Sequence, residues 1–176
     1  YYLNSLDYTT EYLDARNFIK TDSNFLKASV DFLATHHLIR NHFKNKKDIS
    51  IITGFISSNH EGTTTVLGRG GSDYSASIFG AALSSNVIEI WTDVNGVMSA
   101  DPRKVSDAFT IPQLTYDEAS EISHFGAKVI YPPSIIPAKQ IHIPIVIKNS
   151  FQPSHPGTII NHEKIANQYI LKGVTS

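Results

Sequence analysis

The hydrophobic pattern changes period along the chain. In residues 24–43 apolar side chains recur every three or four positions, which predicts an amphipathic helix capped by Asp22 or Ser23. Residues 49–56 form a β-branched apolar run instead, which predicts a strand buried on both faces. Between them, the basic run KNKK at residues 44–47 suits a solvated helix end better than a binding patch.

Strand and helix patterns continue to alternate as far as residue 160. We predict strands at residues 63–67, 87–92, 143–148 and 157–160, and helices at residues 74–83, 116–125 and 133–140. Such alternation favours an α/β layer structure with a largely parallel sheet. The polar tail after residue 162 is interpreted as the start of a linker.

Composition narrows the class of protein. A chain of 176 residues that is 41% hydrophobic can bury one domain or one large lobe. Its net charge of -1 favours a small-molecule partner over a nucleic acid or a membrane. The absence of cysteine excludes disulfides and suits a reducing compartment, so we predict a cytoplasmic protein. Because Met98 is the only methionine, we expect the chain to be cut from a longer polypeptide.

The most informative segment is the glycine-rich stretch at residues 68–73, GRGGSD, between a predicted strand and a predicted helix. Glycines allow backbone amides to approach a ligand, and a helix start favours an anion. Arg69 adds a planar cation that matches a carboxylate or a phosphate. The glycines alone support equally well a tight turn capped by Ser72 or Asp73.

Three further segments carry polar side chains suited to a nucleotide. Thr92 and Asp93 follow a predicted buried strand, where α/β sheets bind ligands, although this segment alone fits an ordinary turn better. Arg103 and Lys128 suit phosphates, although isolated basic residues are usually solvated. The chain has no P-loop motif, and its histidines lack metal-ligand spacing, so we predict no protein metal ligands.

Together, four passages in this order resemble the amino acid kinase superfamily and, within it, the aspartate kinases. They are LGRGGSDYSA at 67–76, IWTDVNGV at 90–97, ADPR at 100–103 and FGAKV at 125–129. The resemblance, which extends over residues 13–158, implies a three-layer α/β/α sandwich with a largely parallel sheet. It implies that residues 1–161 are the C-terminal, nucleotide-binding portion of the kinase domain, whose N-terminal part is missing.

The same resemblance implies a linker at residues 162–176 toward a missing regulatory ACT domain. Residues 14–16 and 20–22 further resemble the kinase half of bifunctional aspartate kinase–homoserine dehydrogenases. We expect the full-length protein to be a homo-oligomer.

The resemblance also implies roles for individual residues. Aspartate would contact the glycine-rich stretch, through Arg69, Gly70, Gly71, Ser72 and Asp73. ATP would contact a second set, Thr92, Asp93, Met98, Arg103 and Lys128. The catalytic residues would be Asp73 and Lys128, and we expect Arg69, Gly70 and Lys128 to converge on one pocket.

The reaction implied is transfer of the ATP γ-phosphoryl group, with Mg²⁺, to the side-chain carboxylate of L-aspartate. Its product, 4-phospho-L-aspartate, begins lysine, threonine and methionine biosynthesis. Met98 departs from the family, which commonly has tyrosine there. The family's N-terminal Lys-Phe-Gly-Gly loop is also not in this chain, so we expect the fragment alone to be inactive or nearly so.

Two alternatives stay open. A kinase of the same fold would act on another acidic amino acid such as glutamate, which differs from aspartate by one methylene. A non-catalytic module that senses nucleotides or amino acids would keep the scaffold and lose the chemistry. Retention of both Arg69 and Lys128 weighs against the sensing module.

Overall fold

The structure, a computed structural model, describes residues 2–44, 49–125 and 129–164. The chain divides into two units, Tyr1–Leu83 and Ser84–Ser176. Within the described ranges, no helix is long and apolar enough to cross a membrane. The boundary predicted at residue 161 stays a prediction, because most of the proposed linker lies outside the described residues.

The described residues of the first unit form two small sheets and two α-helices. Its strands are β1 (Thr10–Leu13), β2 (Lys20–Thr21), β3 (Ile49–Ile52), β4 (Ile56–Asn59) and β5 (Thr64–Val66). Its helices are α1 (Phe32–Phe43) and α2 (Gly71–Leu83). β1 pairs with β3 and β2 with β4 in parallel, whereas β4 and β5 are antiparallel. The core includes the fully buried Ile19, Ile39 and Ile78.

In the second unit, the described residues form one four-stranded sheet. Its elements are β6 (Ile88–Thr92), β7 (Gln113–Thr115), α3 (Tyr116–Phe125), α4 (Pro132–Gln140), β8 (Ile145–Asn149) and β9 (Thr158–Asn161). The strand order is β6-β8-β9-β7, in which only the pair β8 and β9 is antiparallel. Its fully buried residues include Leu114, Ile135, Ile145, Ile147 and Ile160.

Most of the predicted elements are confirmed within a few residues. The second half of the chain follows the prediction closely, and the predicted helix at 116–125 has the observed bounds of α3. Four of the six strand pairs in the described residues are parallel, which confirms an α/β class with a largely parallel pattern. Sequence periodicity missed β1, β2 and β7, which have four residues or fewer.

The helix predicted at residues 24–43 is wrong in its first part. α1 begins only after Asp31, whose carboxylate accepts a hydrogen bond from a backbone N–H of the first turn. Upstream, the carboxylate of Asp22 accepts two backbone N–H groups and so favours a turn over a helix. The N–H of Ala28 donates to the carbonyl of Val66, which ties this segment to the end of β5.

The strand predicted at residues 49–56 is also wrong in two respects. It is two strands, β3 and β4, which belong to different sheets. Ile49 and Ile51 are 43% and 46% exposed, so β3 is not buried on both faces. The break falls at Gly54 and Phe55, and Phe55 adopts a left-handed conformation with φ 74°. Most of the basic run at 44–47 lies outside the described residues.

Candidate active site

The glycine turn joins β5 to α2, as the sequence predicts. β5 ends at Val66 and α2 begins at Gly71. Gly68 and Gly70 have φ values of 78° and 64°, in the left-handed region that glycine adopts without steric cost. The turn therefore depends on glycine at both positions to reverse the chain into the helix.

Gly71 fixes the start of α2 against a neighbouring loop. A Cβ atom at this position would lie 2.7 Å from Cδ2 of Phe55 and 3.2 Å from Cβ of Leu67. The hydroxyl of Ser75 accepts from the N–H of Phe55 at 3.0 Å and donates to the carbonyl of Gly71 at 2.8 Å. Sequence reasoning gave Phe55 no role, because a left-handed conformation at phenylalanine has no sequence signal.

The turn presents both signs of charge beside the helix N-terminus. Arg69 and Ser72 are exposed, and Asp73 is half-buried in the first turn of α2. Burial raises the pKa of the Asp73 carboxyl above its ordinary value. The first N–H groups of a helix have no partner within it and attract anions. The structure thus brings Arg69, Gly70, Gly71, Ser72 and Asp73 together in one turn suited to an anion, either a carboxylate or a phosphate.

The second predicted segment follows the carboxyl end of β6, where α/β sheets place ligand contacts. The hydroxyl of Thr92 donates to the carboxylate of Asp93 at 3.2 Å. The carbonyl of Thr92 accepts from the N–H of Ser150 at 2.8 Å. Asp93 is exposed, so its carboxylate is accessible to a ligand.

Met98 lies at the end of the loop at residues 92–98, which follows β6. It forms an isolated antiparallel bridge with Thr110, whose hydroxyl donates to the Met98 sulfur at 3.5 Å. Met98 is half-buried, so part of the residue stays accessible. A thioether offers a ligand apolar, polarizable contact where a tyrosine would offer a hydroxyl and a ring.

Arg103 forms a two-point ion pair with Asp101. Its Nε donates to Oδ1 at 3.0 Å and its Nη2 to Oδ2 at 2.9 Å. The guanidinium and the backbone N–H of Arg103 lower the pKa of Asp101 to about 2. The Arg103 side chain is 88% exposed, so the pair orients its guanidinium without covering it.

The remaining predicted site residue, Lys128, lies outside the described residues together with the small-residue bend before it. The convergence of Arg69, Gly70 and Lys128 on one pocket stays a prediction. The individual roles of these residues in binding and catalysis also stay predictions.

The sequence profile of the amino acid kinase family matches residues 1–149. The chain belongs to the amino acid kinase family. Among curated family members, the bifunctional aspartokinase/homoserine dehydrogenase of Buchnera aphidicola is 42% identical over 160 residues. That alignment covers 91% of this chain and 20% of the relative. The aspartokinase of Chlamydia pneumoniae is 40% identical, over 84% of this chain and 33% of its own.

Solved structures of the family share this fold. Aspartokinase III of E. coli in complex with aspartate and ADP matches with a TM-score of 0.88 and 36% identity, over 93% of this chain and 37% of that one. The aspartate kinase of Clostridium acetobutylicum matches with a TM-score of 0.82 and 35% identity, with the same coverage of both chains. The predicted fold of the amino acid kinase type is confirmed. The chain spans about a fifth of the length of the bifunctional relatives.

Proposed function

We propose that this chain is part of an aspartate kinase, which transfers the γ-phosphoryl group of ATP to the side-chain carboxylate of L-aspartate. The observation that carries the proposal is the turn at residues 68–73. It combines an exposed arginine with a glycine-shaped helix N-terminus, in a fold that matches a structure holding aspartate and ADP. The product is an acyl phosphate, 4-phospho-L-aspartate.

We assign aspartate to the turn at residues 68–73. The exposed guanidinium of Arg69 would bind a carboxylate through two parallel hydrogen bonds. Gly70 and Gly71 keep side chains away from the backbone donors, and Ser72 adds an exposed hydroxyl. Asp73, held half-buried in the same turn of α2, would help to order the cationic side chains around the reacting groups.

We assign ATP to the second unit. Thr92, Asp93 and Met98 would contact the nucleotide, and Arg103 and Lys128 its phosphates. The ion pair with Asp101 occupies Nε and Nη2 of Arg103, so we assign Nη1 to a phosphate oxygen. This arrangement holds a guanidinium in place before the nucleotide arrives and so reduces the ordering cost of binding.

Magnesium fits this assignment as an ion carried by the nucleotide. Among residues 2–44, 49–125 and 129–164, no group of three or more acidic, histidine or cysteine side chains could hold a metal. Mg²⁺ usually keeps several waters and binds through phosphates and one or two carboxylates. The exposed Asp93 carboxylate would accept from a metal-bound water, and Mg²⁺ would supply positive charge at the phosphates.

Phosphoryl transfer requires the protein to position two anions, the acceptor carboxylate and the donor phosphates, and to neutralise the charge between them. Arg69 and the α2 N-terminus would hold the acceptor carboxylate, whereas Arg103 and Lys128 would hold the donor phosphates. Lys128 would contribute most when charge develops on the transferring group, because a fixed cation stabilises that charge without reorganisation.

The test is ADP release by the full-length protein, with aspartate and glutamate assayed in parallel. We expect release with aspartate alone. Release with glutamate would favour a kinase of the same fold with another acceptor. Absence of release with either substrate, together with retained ADP binding, would favour a sensing module.

Replacement of Lys128 by methionine provides a second test. We expect turnover to fall far more than ATP affinity, because the lysine serves the transition state. An equal loss of turnover and affinity would contradict that role. The 176-residue chain alone should show little or no turnover, and an ordinary rate from it would refute the expectation that upstream residues complete the site.

A further inference from the structure

Two buried polar side chains from the end of the chain hold the loop at residues 92–98. The first is Thr158, which is fully buried at the start of β9. Its hydroxyl accepts from the N–H of Val97 at 2.8 Å and donates to the carbonyl of Ile111 at 2.7 Å. One side chain thus connects the loop to the segment that leads into β7.

The loop also fits closely around this hydroxyl. A Cβ atom on Gly96, whose φ is 118°, would lie 2.4 Å from the Thr158 oxygen. Gly157, with φ 78°, approaches β8 so closely that a Cβ there would lie 1.9 Å from the carbonyl oxygen of Ile147. Glycine at both positions allows Thr158 to reach the loop backbone.

The second side chain is Asn149, at the end of β8, which is 5% exposed. Its Nδ2 donates to Oδ1 of Asn95 at 2.7 Å, and its Oδ1 accepts from the N–H of Phe151 at 2.8 Å. In the parallel pair of β6 and β8, Asn149 lies opposite Thr92. Asn149 and Thr158 therefore hold the middle of the loop that begins at Thr92.

We propose that Asn149 and Thr158 are positioning residues for nucleotide binding, which fix the loop so that Thr92, Asp93 and Met98 meet the nucleotide in one conformation. The inference rests on the proposed function, because it takes those three residues as nucleotide contacts. It adds a set of buried side chains that act through the loop backbone and through Asn95. A loop fixed before binding loses less conformational freedom when the nucleotide binds.

The experiment uses paired variants of the full-length protein. Thr158→Val removes the hydroxyl and keeps the shape, whereas Thr158→Ser keeps the hydroxyl. Asn95→Ala removes the acceptor of the Asn149 amide, whereas Asn95→Asp keeps an acceptor there. For each variant, calorimetry measures the Kd for ADP, and steady-state kinetics measure kcat and the KM values for ATP and aspartate.

We expect T158V to raise the Kd for ADP and the KM for ATP by about tenfold, because both hydrogen bonds of the hydroxyl are lost and the N–H of Val97 and the carbonyl of Ile111 are left unpaired. N95A should raise both by about threefold to fivefold, since it removes one hydrogen bond of the Asn149 side chain and leaves the other, from the N–H of Phe151, in place. The KM for aspartate should stay within about twofold of wild type in each case. T158S and N95D should restore nucleotide affinity to within about twofold.

Unchanged nucleotide affinity in both T158V and N95A would overturn the proposal. So would a loss of affinity that T158S and N95D fail to rescue, or one that raises the KM for aspartate as much as the KM for ATP. If T158V does not fold, the pair N95A and N95D decides. A wild-type protein that binds ADP but does not phosphorylate aspartate refutes the proposed reaction, and the ADP series still tests the positioning role. A wild-type protein that does not bind ADP would refute both.

Discussion

The turn at residues 68–73 and the loop at residues 92–98 both follow the end of a strand, but they are held in place by different means. In the turn, glycines with left-handed conformations set the path of the backbone, and Ser75, within α2, fastens the helix start to Phe55. In the loop, the anchoring side chains come from far along the chain, 54 residues from Asn95 and 61 residues from Val97.

The two regions therefore differ in which substitutions can change the conformation of their backbone. The exposed side chains of the turn can change without disturbing its backbone, because the glycines and buried contacts carry the conformation. The loop depends on a hydrogen-bonding network with β8 and β9, so changes remote in sequence reach it. Substitutions in the turn should therefore affect the acceptor directly, whereas those around the loop should act through conformation.

The largest effect is expected at Arg69. Replacement by alanine should lower kcat/KM for aspartate by about 100-fold or more, because a charged, two-point contact to a carboxylate is lost. The KM for ATP should change less than about threefold. Because Arg69 is exposed, the melting temperature should stay that of wild type. Steady-state kinetics and thermal unfolding of the full-length protein measure these quantities.

Arg69→Lys sharpens this test. Lysine keeps the charge but lacks the planar fork, so it should recover only a small part of the activity. Arg16→Lys, at an exposed arginine paired with Asp14 in the same unit, is the matched control and should leave kinetics within about twofold. Wild-type kinetics in R69K would contradict two-point carboxylate binding.

The second-largest effect is expected at Gly96, where a substitution disturbs the conformation of the loop rather than a side chain that would contact the nucleotide. Gly96→Ala places a Cβ against the Thr158 hydroxyl in a backbone conformation that disfavours side chains, and should destabilise the protein by about 3 kcal/mol or more. Gly62→Ala is the matched control, since Gly62 also has a positive φ, of 86°, but open space around it. It should cost about 1–2 kcal/mol and leave ADP affinity unchanged. Equal losses of stability in the two variants would contradict close packing as the cause.

Sequence periodicity predicted the elements that pack on one face against a core. α2, α3, β6 and β8 emerge close to their predicted bounds because their apolar positions are spaced as packing requires. It failed at residues 24–31, where the carboxylate of Asp22 favours a turn over a helical start that the apolar spacing also allows. Short strands such as β2 are defined by their partners, which a local pattern does not contain.

The turn at residues 68–73 and the loop at residues 92–98 differed in the same way in how far the sequence predicted them. Consecutive glycines beside Arg69 are a local signal, so the turn could be predicted as a unit. No local signal marks Asn149 or Thr158, because their importance lies in the residues that they contact, far away in sequence. The Phe55 conformation was likewise unpredictable, since the contact with Gly71 that accompanies it becomes visible only in the fold.

A smaller effect should distinguish the two carboxylates, Asp73 in the turn and Asp93 in the loop. Burial raises the folded-state pKa of Asp73 above its ordinary value of 3.8, so the ionised group destabilises the fold at neutral pH. Asp73→Asn should therefore raise the melting temperature by a few degrees at about pH 7, by relieving this penalty. It should also lower turnover.

The pH dependence of the melting temperature tests whether the Asp73 carboxylate destabilises the fold. The stability advantage of D73N should shrink as the pH falls through the raised pKa and disappear below the unfolded value of 3.8, because the wild-type carboxyl is then protonated in both states. Asp93→Asn, at an exposed carboxylate, is the control and should leave the melting temperature unchanged. A D73N protein that melts below wild type at neutral pH would show that the Asp73 carboxylate is stabilising.

The smallest effect is expected at the ion pair between Asp101 and Arg103. Because Arg103 lowers the pKa of Asp101 from 3.8 to about 2, any stability from the pair begins to be lost as the pH falls below 3.8 and is gone once the pH has fallen through about 2. Between about pH 5 and pH 9 both groups stay ionised, so the pair should add no pH dependence to the KM for ATP. Asp101→Asn should raise that KM by about twofold to threefold, because the guanidinium loses one of its two orienting contacts. It should not change the melting temperature, because the Arg103 side chain of the pair is 88% exposed. A KM for ATP that stays at the wild-type value in D101N, while Arg103→Ala raises it, would show that Arg103 binds phosphate without orientation by Asp101.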